Sequence, residues 1–124
     1  MLTGHATVLL VDDVARALDY YGEQLGFEVE PWAENPQHYG YAKRDNAWLH
    51  FAHFHGAHPR PNHGAAPPDM FDAYFWVDDV DALHAELLQR GAEVVQEPVD
   101  QPWCREIRVL DPHGYVLAFG QPYR

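Results

Sequence analysis

Apolar and polar positions run in one rhythm, switch to another and switch back, twice along the chain. The run "HATVLLV" is rich in β-branched and apolar residues and reads as a strand. It ends at Val11-Asp12-Asp13-Val14, where the period becomes helical: Val14, Ala17, Leu18, Tyr21 and Leu25 recur on one face. The pattern stops at Gly26, and a short strand follows. "FDAYFWV" then repeats the strand. Val77-Asp78-Asp79-Val80 repeats the four letters, Val80, Leu83 and Leu87 repeat the helix, and Gly91 repeats the stop. An Asp of each pair is placed to cap a helix by accepting a hydrogen bond from a free backbone N–H. Each glycine is placed to end one. The two VDDV tetrads lie 66 residues apart and the two glycines 65, which predicts a second helix one residue shorter than the first.

Each half continues in strands. "YGYAKR" and "AWLHFAHF" are separated by the turn-like Asp45-Asn46; "REIRVL" and "YVLAFG" are separated by Asp111-Pro112-His113-Gly114. The prediction is an α+β fold written as β-α-β-β-β twice. Module one covers about 1–55, a Pro- and Gly-rich linker about 56–69, and module two about 70–124, together one domain.

Composition narrows the partners. Nineteen Asp and Glu against eight Lys and Arg give a net charge of -11, so there is no basic stripe to neutralise phosphates and no nucleic-acid partner is expected. The same charge attracts cations. Cys104 is the only cysteine, which excludes an internal disulfide and fits a cytoplasmic location. The apolar run "ATVLLV" is too short for a signal segment or a membrane span, so no membrane partner is expected.

"VDDVARALDYYGEQLGFEVE" and "REIRVLDPHGYVLAFGQ" resemble the entry and closing motifs of the vicinal oxygen chelate superfamily, the glyoxalase, bleomycin resistance protein and dioxygenase group. The likeness spans nearly the whole chain and is strongest to the bleomycin resistance branch. There a "QPWG-RE" loop precedes the last hairpin; here the loop is "QPWCRE", Gln101 to Glu106, with Cys104 in the place of glycine. The resemblance implies paired modules whose curved mixed sheets form a cleft, and a homodimer.

The superfamily's enzymes hold a divalent metal through His, Glu or Gln on four strands. Carried over position by position, the ligands would be Ala6, His50, Asp72 and Ala118. Two of these have no donor. His50 and Asp72 remain as candidates, with His5 beside Ala6 on the opposite strand face. The expectation is therefore no metal cofactor, the alternative being Zn, Fe, Mn or Ni. "LHFAHFHGAHPRPNH" adds His53, His55, His58 and His63, but His53 and His55 fall opposite His50, and the other two lie in the polar linker.

Four tryptophans and seven tyrosines are read first as core or interface residues. Trp103 stands apart because it sits in the "QPWCRE" loop. In the branch resembled, a loop tryptophan and an aromatic residue near the third strand sandwich a flat heteroaromatic ligand. Trp103 matches the first and Tyr39 the second, with Tyr41 as the alternative register; a hydrophobic plug is the other reading of Trp103. The ligand-binding candidates are Tyr39, Tyr41, His50, Trp103, Cys104 and Glu106. No catalytic residue is marked: Cys104 lacks an adjacent base, no phosphate-binding loop occurs, and nothing singles out Glu106 or Asp111 as a base. The expected function is metal-free sequestration of a small planar compound, cations included, as in antibiotic resistance proteins. The alternatives are a metal-dependent lyase, isomerase, dioxygenase or thiol transferase, or a structural dimer with a vestigial cleft.

Overall fold

The computed structural model describes residues 1–56, 60–62 and 70–123. The chain divides into two compact units, Met1–Pro59 and Arg60–Arg124. Most of the expected linker over 56–69, with His58 and His63, lies outside the described residues.

The first unit runs β1 (Thr7–Val11), α1 (Val14–Glu23), β2 (Glu28–Pro31), β3 (Tyr39–Arg44) and β4 (Ala47–His53). Its sheet has the order β1-β4-β3-β2, with β1 parallel to β4 and the other pairs antiparallel. A parallel pair needs a long connection, and α1, β2 and β3 supply it. Asp13 caps α1, its Oδ1 accepting the Arg16 N–H at 3.0 Å. Val14, Ala17, Leu18 and Tyr21 form the buried stripe of α1, which packs on β2, β3 and β4. Gly40 lets the helix approach: a Cβ there would lie 3.1 Å from Leu18 and Val14 side-chain atoms. Leu9, Ala42, Leu49 and Phe51 complete this core, and burying a Phe51-sized side chain contributes roughly 1.5–3 kcal/mol.

The second unit repeats the order as β5 (Ala73–Trp76), α2 (Val80–Gln89), β6 (Glu93–Asp100), β7 (Cys104–Leu110) and β8 (Val116–Pro122). The sheet order is β5-β8-β7-β6, again with one parallel pair, β5 with β8. Asp79 caps α2 by accepting the Ala82 N–H at 3.0 Å. The α+β class and the doubled β-α-β-β-β order thus agree with the sequence pattern.

The predicted difference in helix length does not hold. Both helices have ten residues. The extra residue of the first copy falls in the turn, where Gln24 and Leu25 precede Gly26 but Arg90 alone precedes Gly91. Both glycines have positive φ, 75° and 84°, as a left-handed helix stop requires. Asp111 closes the last hairpin, its buried carboxylate accepting the N–H groups of His113 and Tyr115 at 2.8 and 2.9 Å. Among the described residues no helix is long and apolar enough to cross a membrane.

Candidate functional site

Side chains alternate across a strand, so each sheet has one face toward its own helix and one away from it. In the first unit Leu49 and Phe51 take the helix face. Trp48 and His50 take the far face, and the pairing of Tyr41 with His50 puts Tyr39 and Tyr41 there too. The Tyr39 hydroxyl and His50 Nδ1 are 2.8 Å apart. The three rings stand nearly edge-on, with centroids 5.5 Å (Tyr39–Tyr41), 5.4 Å (Tyr39–His50) and 5.0 Å (Tyr41–His50) apart. Both register alternatives therefore meet His50, because Tyr39 and Tyr41 are two residues apart on one strand. Trp32 extends the group, 6.5 Å from Tyr39, and no sequence pattern singled it out. Burial, and then the neighbouring Tyr41, hold the Tyr39 phenol above its usual pKa.

On the helix face, β4 brings His53 near His55, with ring centroids 5.0 Å apart, and His38 lies 6.5 Å from His55. These histidines and Asp12, Asp13 and Asp19 help to line a pocket of about 810 Å³ beside α1. The sequence separates His53 and His55 from His50 correctly, but it gives no sign that His38 joins them.

The far face of the second unit carries a denser polar cluster. Pairing aligns Tyr74 with Ala118, Ala118 with Arg108, and Arg108 with Gln96; one step along, Trp76, Gly120 and Glu106 align. Glu106 is fully buried, and every carboxylate oxygen is engaged. Its Oε1 accepts from Arg108 Nε at 2.7 Å and Gln96 Nε2 at 3.1 Å. Its Oε2 accepts from the Tyr74 hydroxyl at 2.8 Å and from Trp103 Nε1 at 3.3 Å. Burial works to raise the Glu106 pKa, but the hydrogen bonds from Arg108, Tyr74 and Gln96 outweigh it and hold the carboxyl below its usual value. Tyr74 is pushed the other way, by burial first and then by its hydrogen bonds with Cys104 and Glu106.

Trp103 is 53% exposed, so it is not a buried plug. Its polar edge is tied to Glu106 while much of its ring surface is open. Cys104 is fully buried, with Sγ 2.8 Å from the Tyr74 hydroxyl. No motif in the sequence marks Tyr74, Gln96 or Arg108. The available signal is Glu106 and Arg108 two residues apart on one strand, which places opposite charges on one face.

Each metal candidate is engaged or exposed within its own unit. Asp72 is a structural staple, its Oδ1 accepting the Asn62 N–H at 2.7 Å and its Oδ2 the Val116 N–H at 2.9 Å. His5 precedes β1 and is exposed. Ala6 and Ala118 offer no donor. His50 already shares Nδ1 with Tyr39. Among the described residues no group of three or more His, Cys, Asp or Glu is placed to hold a metal ion. The donor set does not fit the divalent metal of the superfamily's enzymes.

Two βαβββ units, each with an aromatic or polar group on the sheet face away from its helix, define an α+β protein of the paired-module class. The chain belongs to the Glyoxalase/Bleomycin resistance protein/Dioxygenase superfamily, whose family profile matches residues 3–119. It is 30% identical over 107 residues to the anthracycline biosynthesis protein DauV of Streptomyces sp. strain C5, a match covering 86% of this chain and 36% of that protein. The chain spans between 22% and 36% of the length of the curated relatives it matches. Among solved structures, the bleomycin-binding protein of Streptomyces verticillus complexed with copper(II)-bleomycin superposes with a TM-score of 0.76 at 21% identity, covering 99% of this chain and 98% of that one. TnmS3, an antibiotic binding protein from Streptomyces sp. CB03234, superposes with a TM-score of 0.68 at 26% identity over 99% of both chains.

Proposed function

We propose that this chain is a binding protein that sequesters a small planar compound, cations included, without a metal and as a homodimer. The observation that carries this reading is the Trp103 indole, half exposed yet anchored through its N–H to a buried carboxylate. An indole held by its edge presents its face, and aromatic faces stack on flat ligands. Tyr39, Tyr41 and His50 are the proposed ligand contacts of the first unit. The net charge of -11 adds a field that draws cations. The names of the bleomycin-binding protein and of TnmS3 support antibiotic-like compounds as the first ligands to try. A metal-dependent enzyme is disfavoured by alanine at positions 6 and 118 and by the engaged oxygens of Asp72. A cytoplasmic location accords with a single, buried, free cysteine.

The test is a fluorescence titration of the purified protein with bleomycin and a panel of flat neutral and cationic heteroaromatics. Saturable quenching that weakens in Trp103→Ala supports the reading. No quenching by any member of the panel counts against it.

A further inference from the structure

Glu106 is named above as a ligand-binding candidate, yet its surroundings leave it little to offer a ligand. An ionised carboxylate is acceptor-only, and here four donors converge on its two oxygens. One donor is the Arg108 guanidinium, which also offsets the charge. A ligand on Trp103 would find neither a spare lone pair nor an unbalanced charge at Glu106.

The cluster acts instead on the indole. Tyr74 has one hydroxyl proton and two close neighbours, Glu106 Oε2 and Cys104 Sγ, both at 2.8 Å. Since the carboxylate can only accept, the hydroxyl donates to Glu106. The thiol then donates to the hydroxyl oxygen, and the bonds run in one direction: Cys104 S–H to Tyr74, Tyr74 O–H to Glu106. The Trp103 N–H donates to the same Oε2. Gly120 makes room for this arrangement. A Cβ there would press on the Tyr74 hydroxyl and lie 2.7 Å from Cys104 Sγ, so the thiol fills space that the glycine leaves. Glycine at position 104, the residue of the branch this chain resembles, would remove both the filler and the donor.

We propose that Cys104 and Tyr74 are positioning residues that fix the Trp103 indole through Glu106, so that the loop presents a rigid flat face and selects ligands by planarity rather than by local charge. The ligand part rests on the reading of Trp103 as a stacking surface. The positioning part concerns the unliganded protein and is tested without a ligand.

The experiment follows the indole N–H resonance of Trp103 in ¹⁵N-labelled protein, assigned with Trp103→Phe. Tyr74→Phe and Cys104→Gly should each shift that resonance and speed its exchange with solvent, leaving those of Trp32 and Trp48 in place. Cys104→Ser, which restores an O–H donor, should bring the resonance back toward wild type. In a parallel titration with a flat neutral ligand and a flat cation, Tyr74→Phe should weaken both alike by roughly two- to twelvefold, the range set by the net contribution of one hydrogen bond. An unmoved Trp103 resonance in both variants overturns the positioning proposal even if ligands bind. A moved resonance with no ligand bound sustains it and overturns the stacking reading instead. A loss confined to the cation overturns selection by planarity.

Discussion

Arg108 Nε lies 2.7 Å from Glu106 Oε1, and both side chains are buried. Such a pair is weak evidence for stability as it stands, because desolvating two charges consumes much of their attraction. Breaking it is another matter. Glu106→Gln breaks the buried ion pair at Arg108 Nε, and breaking such a pair costs about 3–5 kcal/mol. The unfolding free energy in urea should fall by that order, while Glu106→Asp should retain part of it. A change below 1 kcal/mol would show that the pair adds little to stability.

The same pair sets a pH dependence. The folded pKa of Glu106 lies below its ordinary 4.5. A depressed carboxyl contributes stability that is complete above the unfolded pKa and is lost as pH falls through the folded one. The urea midpoint of the wild type should therefore drop on the acid side of about pH 5, and that of Glu106→Gln should drop less. Parallel profiles would assign the acid sensitivity to other carboxylates.

Much of this fold is legible in sequence because its signals are local. A helix cap and a glycine stop act within one turn of chain, so Asp13, Asp79, Gly26 and Gly91 announce both helices. The glycine position does not reveal whether the residue before it is helical, and Leu25, which keeps the helical spacing, lies in the turn. The site is less legible. Tyr39, Tyr41 and His50 share a face by simple alternation, but Tyr74, Gln96, Glu106 and Arg108 meet through the register of four strands. That register includes two irregularities in β6, between Val94 and Gln96 and between Gln96 and Val99, which no count along the chain supplies.

Protein purified without a histidine tag should carry well below one Zn, Fe, Mn or Ni per chain. A site for these metals needs several converging donors, and Asp72 has given both oxygens to backbone N–H groups. Elemental analysis decides the point. Stoichiometric metal that disappears in His50→Ala would replace the sequestration reading with a metal-dependent one.

Val8, Leu10 and Trp48 are exposed on the far face of the first unit, and Trp76 is 65% exposed on that of the second. Exposed apolar residues grouped on one face usually mark an interface. Light scattering at micromolar concentration should report about twice the chain mass of 14.2 kDa. Trp76→Glu should shift the equilibrium toward monomer, because a buried carboxylate with no partner is costly. A stable wild-type monomer would remove the dimer from the proposal.

Trp103→Ala separates a stacking surface from a structural one. With half of its surface open, Trp103 buries about half of what a core tryptophan does, and its removal should lower the unfolding free energy by less than the about 3–5 kcal/mol typical of Trp→Ala in a core. Binding should suffer more. Stacking on an aromatic side chain is worth about 1–3 kcal/mol where alanine substitution has measured it for nucleic-acid bases. A flat ligand should therefore bind Trp103→Ala roughly five- to hundredfold more weakly. Trp103→Phe should recover only part of the affinity, since it keeps a flat face but gives up the N–H through which Glu106 anchors it. The two measurements belong on the same preparations. Full affinity in Trp103→Ala would move the ligand elsewhere, and a large loss of stability without loss of affinity would make the indole a support for its loop.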